Sequence, residues 1–317
     1  EHAVVVRRTL DYVLRELRDP AGGFWSSQDA DSEGVEGKFF VWSLAEFERL
    51  LGPDAALAAA HWGVTAAGNW EGHNVLSLAT PAAVLAGRGS QSANEVQQRL
   101  ERAREVLLRA RSERVRPATD DKVLAAWNGL AVSAFATGAK VLGDERWVEA
   151  ARESAAFVLE RMLVDGRLRR SYRDGLAEGP AFLEDYAFVA DGLLTLFEVD
   201  PDPRWLSAAR ELLTVALQHY SDDADGGFFF TSDDHEALPT RSKNATESST
   251  PSGVAVMALA LVRAGMLLGD EAFVARGERV LAAHAGLLER APIAAPSLVR
   301  ALQFLRGDPR EVVVAGA

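Results

Sequence analysis

Along most of this chain, apolar residues recur at spacings of three and four, the period of an amphipathic helix. Stretches with that pattern are Val4 to Leu17, Leu44 to Leu51, Ala55 to Trp62, Asn94 to Arg114, Val123 to Leu142, Pro180 to Glu198, Gly253 to Leu268 and Ala295 to Leu305. Three further helices begin at a repeated motif. Gly143-Asp144-Glu145-Arg146-Trp147-Val148 recurs as Asp202-Pro203-Arg204-Trp205-Leu206 and again as Gly269-Asp270-Glu271-Ala272-Phe273-Val274. In each copy the Asp is placed to cap the helix N-terminus. Alanines then line one side of the helix, as at Ala150, Ala151 and Ala155. Copies lie roughly 60 residues apart, enough for two helices and their connections.

A second repeat follows these helices. Gly22-Gly23-Phe24-Trp25-Ser26-Ser27 matches Asp225-Gly226-Gly227-Phe228-Phe229-Phe230-Thr231-Ser232, and Asp165-Gly166-Arg167-Leu168 is a degenerate copy. Glycine beyond the last helical turn supplies a left-handed C-cap, and the aromatic run reads as a hairpin arm. About eleven helices without strand–helix alternation argue against a parallel sheet. Repeated helix pairs imply an open solenoid or a closed α/α toroid. Solenoid repeats are usually shorter, at roughly 35 to 45 residues, and hairpins after alternate helices favour the toroid. The expectation is therefore an all-α chain, an α/α toroid incomplete at its N-terminus, with short β-hairpins in the connecting loops. It forms one domain over residues 1–306. Residues 307–317, where Glu311 to Val314 reads as a strand, open a following element.

Composition narrows the function. The chain has 317 residues, 48% hydrophobic and 25% charged, with a net charge of −12. That charge argues against nucleic acid or an anionic membrane as partner. Absence of cysteine excludes disulfides, thiol catalysis and cysteine metal sites, and fits a cytoplasmic protein. No apolar run approaches the roughly 20 residues of a membrane span. Histidines are scattered without zinc spacing. No phosphate-binding loop or nucleophile-elbow motif stands out.

Four segments carry candidate chemistry. The first is Asp29-Ala30-Asp31-Ser32-Glu33-Gly34-Val35-Glu36, set between Gly22-Gly23-Phe24-Trp25 and Lys38-Phe39-Phe40-Val41-Trp42. Carboxylates so crowded repel unless they bind something or share protons. They suit acid–base work, sugar recognition or a hard cation. The spacing opens like an EF-hand, but Phe40 stands at the closing position, so an EF-hand is rejected. A turn with self-capping side chains is the structural alternative. The second segment is Thr119-Asp120-Asp121-Lys122-Val123-Leu124-Ala125-Ala126-Trp127-Asn128-Gly129. Read as a helix, it turns Asp121, Asn128 and Trp127 toward one space. Alternatively an Asp caps that helix and Trp127 packs in the core, which leaves the mid-helix pair Asn128-Gly129 unexplained. The third is Glu184-Asp185-Tyr186, acids in a first helical turn that complement its dipole or bind a polar ring. The fourth runs from Lys243 through Glu247 to Thr250-Pro251-Ser252, with Thr250 as helix N-cap and Lys243 and Glu247 available to a ligand. Among the histidines, His73 in Asn69-Trp70-Glu71-Gly72-His73-Asn74 is the best placed for a site.

Taken together, these motifs resemble a known family. Gly22-Gly23-Phe24 with Asp29 to Gly34 and Glu36 to Trp42, Asp120 to Leu124 with Trp127-Asn128-Gly129, Glu184 to Ala187, Gly226 to Phe229 and Pro251-Ser252-Gly253 carry the likeness. Their order and spacing are similar to the thioredoxin-domain-containing proteins of the spermatogenesis-associated type. The resemblance implies an (α/α)6 barrel akin to N-acylglucosamine 2-epimerases and six-hairpin glycosidases, with the family's N-terminal thioredoxin-like domain and first barrel helices absent. Val254-Ala255 stands where the family usually has Asn-Ser, and Glu247 where it usually has Asp.

The resulting expectation is a carbohydrate-active or carbohydrate-binding barrel, working as a sugar epimerase or isomerase, or as a glycoside hydrolase. Asp29 and Asp31 with Asp121 or Asp185 are the candidate catalytic carboxylates. Glu33, Glu36, Trp42, Trp127, Asn128, Tyr186, Lys243 and Glu247 are the candidate sugar contacts. Hydrolysis needs two carboxyls roughly 5 to 10 Å apart. A proton-abstracting epimerase commonly uses a base such as histidine, and none stands in a motif. No metal or other cofactor is expected, with calcium at the Asp29–Glu36 loop as the alternative. The partner is a small sugar or polyol. A homodimer would cover the apolar surface of an open barrel. The rival expectation is a non-catalytic module that presents a thioredoxin-like domain to partners.

Overall fold

The computed structural model describes residues 2–236 and 238–307. In chain order these form α1 (His2–Glu16), β1 (Trp25–Gln28), β2 (Asp31–Ser32), β3 (Val35–Glu36), α2 (Leu44–Leu51), α3 (Ala55–Trp62), α4 (Ala82–Gly87), α5 (Ala93–Ser112), β4 (Thr119–Leu124), α6 (Ala125–Leu142) and α7 (Glu145–Phe157). There follow β5 (Leu163–Val164), β6 (Arg167–Arg173), β7 (Leu176–Pro180), α8 (Leu183–Phe197), α9 (Pro203–Tyr220), α10 (Gly253–Leu268), α11 (Glu271–Ala283), α12 (Ala285–Arg290) and α13 (Pro296–Arg306). Among the described residues no helix is long and apolar enough to cross a membrane. The strand expected at Glu311 to Val314 lies outside the described residues.

Two compact units emerge, one made of the segments up to residue 27 and from 121 onward, the other of residues 28–120. In the larger unit, α6, α8 and α10 pack side by side, with α13 against α10. Behind them α7, α9 and α11 pack on their respective partners, so consecutive helices form antiparallel hairpins. The repeated Asp does cap each backing helix: Asp144, Asp202 and Asp270 accept from the backbone N–H groups of Arg146, Arg204 and Ala272. Trp147 and Trp205, from the same repeat, are fully buried.

The α6–α8 contact explains why Asn128 is followed by glycine within a helix. A Cβ on Gly129 would lie 2.4 Å from the Phe188 carbonyl carbon, and one on Gly192 would lie 2.6 Å from the Gly129 carbonyl oxygen. The two helices meet backbone to backbone, which only glycine permits at both positions. Farther along these helices, a polar network ties them to α10. The Arg263 guanidinium binds Asp191, Thr195 and Glu198, and Lys140 reaches Glu198 at 2.7 Å.

The connecting loops carry the expected hairpins. β6 pairs antiparallel with β5, with β7 and with the end of β4, in register Val123 with Tyr172 and Leu124 with Ser171. One expectation is corrected here: Thr119–Leu124 is a strand, not the start of α6. The cross-strand partner on β6 outweighs the helical period, and β-branched Val123 suits that pleated setting. Thr250 is likewise not the N-cap of α10; Ser252 is, accepting from the Ala255 N–H.

The smaller unit has its own core. Phe47 and Leu51 of α2, Ala58 of α3, and Val96, Leu100, Ala103 and Leu107 of α5 bury one apolar stripe each, together with Trp42. Ser92 and Glu95 form a reciprocal capping box at the start of α5. These helices hold two loops, residues 29–41 and 65–75, that shape a cleft.

Candidate functional site

In the smaller unit the acidic run is a structured hairpin, not a loose loop. β2 and β3 pair antiparallel, Asp31 with Glu36 and Ser32 with Val35. Glu33 and Gly34 make the turn, with φ of 55° and 73°, the left-handed pair of a tight hairpin. The Asp29 carboxylate accepts from the Asp31 N–H at 3.1 Å, and the buried Ser32 hydroxyl donates to the Val115 carbonyl at 2.6 Å. Part of the acidic run is thus spent on folding the run itself.

The second loop has the same device. Trp70 and His73 bridge antiparallel around Glu71-Gly72, whose φ values are 46° and 79°. Two asparagines lock the loop from behind. Asn69 exchanges hydrogen bonds with the Val75 backbone, and buried Asn74 binds the Trp42 and Thr65 carbonyls and the Thr65 N–H.

Between these turns lies an open cleft of about 550 Å³, lined by Glu33, Glu36, Trp70, Glu71, His73 and Glu113 among others. Arg114 holds the wall beneath them. Its guanidinium donates to the Phe39 and Val41 carbonyls at 2.7 and 2.9 Å, pairs with both Glu46 oxygens at 3.0 Å, and stacks on Trp42 at 4.0 Å. Trp42 itself is buried and supports Arg114. Lys38 pairs with Glu33 at 2.8 Å. The cleft therefore presents an aromatic face, since Trp70 is 44% exposed, beside carboxylates in water. Sugar rings stack on such faces, and their hydroxyls donate to such carboxylates.

The candidates in the larger unit sit differently. Asn128 is fully buried. Its Oδ1 accepts from the Phe24 N–H and the Ser154 hydroxyl, and its Nδ2 donates to the Phe24 and Leu124 carbonyls. Every donor and acceptor of the amide is used, so Asn128 has none left for a ligand. It staples the glycine–aromatic hairpin arm to α6. Asp185, 1% exposed, accepts from the Ala126 N–H at 3.0 Å and the Phe182 N–H at 2.7 Å. It supplies the cap that α6 lacks locally, since Leu124 stands at that N-cap position. Burial pushes the Asp185 carboxyl up to about 7, against the pull of those two N–H groups and of Arg170. Tyr186 is also buried, its hydroxyl accepting from the Leu168 N–H at 3.0 Å.

Asp121 lies on β4, so it does not share a helical face with Asn128. Arg173 approaches it to 2.7 Å as a half-exposed ion pair, out of line for a hydrogen bond. Trp127 is exposed, at 46%. Lys243 is bound between Asp222 and Asp225, and those hydrogen bonds raise its ammonium above the usual lysine range. Glu247 accepts from the Ser297 N–H at 2.7 Å at the start of α13. Described ligand atoms converge at His219, Asp233 and Asp234, where the Arg167 guanidinium already grips both Asp234 oxygens.

Of the sequence candidates, then, Glu33 and Glu36 meet in the cleft, with Trp42 supporting its wall. Trp70, Glu71, Glu113 and Arg114 were missed. The signal for Glu71 was available, because Trp70-Glu71-Gly72-His73 repeats the Glu-Gly turn of Glu33-Gly34. Glu113 and Arg114 stand at the end of the Asn94 to Arg114 helical stretch, where nothing local marks them as part of a site.

No family model matches the chain. The GH76 α-mannanase of Bacteroides thetaiotaomicron superposes with a TM-score of 0.51 at 12% identity, covering 97% of this chain and 79% of that one. Cellobiose 2-epimerase from Bacillus thermoamylovorans gives a TM-score of 0.45 at 11% identity, over 89% of this chain and 71% of that one. The fold class is thus the six-hairpin glycosidase-like α/α toroid. Human spermatogenesis-associated protein 20 is 33% identical over an alignment 350 positions long, gaps included, that covers 98% of this chain and 44% of that protein. The chain spans under half the length of that relative, and over this span it is a homologue of spermatogenesis-associated protein 20.

Proposed function

We propose that this chain recognises a sugar or polyol in the cleft of its smaller unit, as the carbohydrate-binding part of a carbohydrate-active protein. The observation that carries this is the exposed Trp70 face beside Glu36, Glu71 and Glu113 in an open cleft of about 550 Å³. An aromatic plane takes the apolar side of a sugar ring, and carboxylates take its hydroxyls. The likeness to an α-mannanase fold is in keeping with that ligand class. A cysteine-free chain fits a cytoplasmic setting.

Binding without turnover is the favoured form. Asp185 is committed to two backbone N–H groups, and neither it nor Asp29, Asp31 or Asp121 lines this cleft. A catalytic form is supported by one observation: His73 stands in the cleft beside the glutamates, which gives an epimerase-type proton transfer a base and an acid. A thermal-shift panel of neutral sugars and polyols tests the binding reading. A ligand bound only by the folded chain raises the melting temperature, and Trp70→Ala is expected to abolish that rise. If no sugar shifts a cooperatively melting sample, the reading is wrong. Solvent-deuterium incorporation into a bound reducing sugar, lost in His73→Ala, is the sign of turnover.

A further inference from the structure

We propose that the larger unit holds a seat for one further helix of the same polypeptide, which precedes α1, runs antiparallel to it and packs between α1 and α6. The residues concerned do not line the cleft, and the inference does not depend on what the cleft binds.

A stripe left open on α6 is the first ground. Trp127, Leu130, Ala134, Thr137 and Val141 follow one another at spacings of three, four, three and four. At roughly 100° per residue they fall within about 80° of arc, on one side of the helix. That spacing is the seam by which one helix packs along another. Yet the side is open: Trp127 is 46% and Val141 71% exposed, and Ala134 and Thr137 are exposed as well. On the opposite side of α6, Gly129 and Val132 meet Gly192 of α8. α8 has α6 at one flank and α10 at the other, and α10 lies between α8 and α13. Among the described residues, the open stripe is the flank on which α6 lacks the neighbour that α8 and α10 have.

A half-formed hairpin is the second ground. α7, α9 and α11 each follow, and pack on, the helix before them. α1 is a helix of that backing kind. It leads into Gly22-Gly23-Phe24 as α9 leads into Gly226-Gly227-Phe228, and both arms close by the same bridge, Arg18 with Phe24 and Ser221 with Phe228. Leu10 docks α1 on α6, where a Cβ on Gly138 would lie 2.6 Å from its Cδ1. The turns before Leu10 bury nothing: residues 2–9 are all exposed, Val4, Val5 and Val6 included. Val5, Val6 and Thr9 line, with Leu130, Ala134 and Thr137, a groove of about 830 Å³. Contiguous exposed apolar surface of this kind marks a docking site. A second copy of this chain fits it poorly, because a two-fold contact must be self-complementary and a groove offers no ridge to enter its own copy. Human spermatogenesis-associated protein 20 has the chain to supply a helix, since more than half of its length lies outside the match.

Hydrogen–deuterium exchange of this chain, compared with the same polypeptide extended by about 40 residues ahead of His2, tests this; that length holds a helix like α1 and its connections. Exchange at residues 2–9 and 130–141 is expected to be at least about tenfold slower in the extended polypeptide. Ala134 is exposed in this chain, so Ala134→Arg should leave its melting temperature within about 1 °C. In the extended polypeptide the same change should lower it by at least about 5 °C, because the arginine meets a packed helix. Gln218→Arg, at an exposed position of α9, should be silent in both. Equal exchange in the two wild-type proteins overturns the proposal, and that comparison needs no variant to fold. A 317-residue chain that sediments as a dimer, dispersed by Ala134→Arg, overturns it in favour of a second copy.

Discussion

The two regions that the sequence marks as functional use their polar side chains in opposite ways. In the larger unit, Asn128 and Asp185 are buried and spend their hydrogen bonds on the protein's own backbone. In the smaller unit, Glu36, Glu71 and Trp70 stand in water around a cleft, and among the described residues no ion pair holds either carboxylate. The difference is one of accounting. A buried amide must satisfy every donor and acceptor, because leaving one orphaned costs about 1–3 kcal/mol. A residue that has satisfied them all has nothing to offer a ligand. An exposed carboxylate carries no such obligation, so crowding several in one cleft asks for another explanation. A conspicuous polar motif can therefore be a staple or a site, and solvent decides which.

The largest effect that breaks this comparison should come from Gly129→Ala. Its Cβ would fall 2.4 Å from the Phe188 carbonyl carbon, so α6 and α8 must separate. A loss of about 3 kcal/mol or more is expected by urea denaturation, at the upper end of overpacking costs. Ligand binding in the cleft should persist wherever the variant stays folded.

Asp185 gives a pH signature of comparable size. Its folded carboxyl titrates near 7, well above the ordinary aspartate value of 3.8 that the unfolded chain has. Between those values the folded state holds the extra proton. Stability is therefore full below about pH 4, falls as pH rises toward 7, and levels off above it. The loss through this window is on the order of 4 kcal/mol. Urea midpoints measured across that range should show the slope, and Asp185→Asn should flatten it. A slope of the opposite sign would mean that the two N–H groups, not burial, dominate Asp185.

Asn128→Ala is expected to cost roughly 3 kcal/mol, as the backbone groups of Phe24 and Leu124 and the Ser154 hydroxyl lose their partner in a dry setting. If Asn128 instead served a ligand, the change would leave stability alone and weaken binding.

The smallest effect sharpens the comparison most. Glu71→Asn should stabilise the fold by about 0.5 kcal/mol, because Asn accepts the left-handed turn more readily. The same change should weaken sugar binding in the cleft. A staple cannot show that opposition; a site can. Melting temperatures and titrations on one preparation check both.

How much of this was legible follows the same physics. Helices α2, α3 and α13 were readable because one face meets water and the other does not, and that alternation has the helical period. The Asp caps of α7, α9 and α11 were readable because capping is local. Thr119–Leu124 was misread because its strand is set by a partner on β6, about fifty residues away. The cap of α6 was missed for the same reason: Asp185 supplies it across the helix pair. In the site, Glu33 and Glu36 stood out by crowding, whereas Glu113 and Arg114 gave no signal because only folding brings them beside the hairpin.

Hydrogen–deuterium exchange of the chain, with and without a saturating sugar that raises its melting temperature, tests the division directly. Protection is predicted across residues 31–41 and 69–75, with none at 121–129 or 182–187. Protection confined to the latter two segments would contradict the account, since it would put the ligand on the residues assigned here to holding the fold.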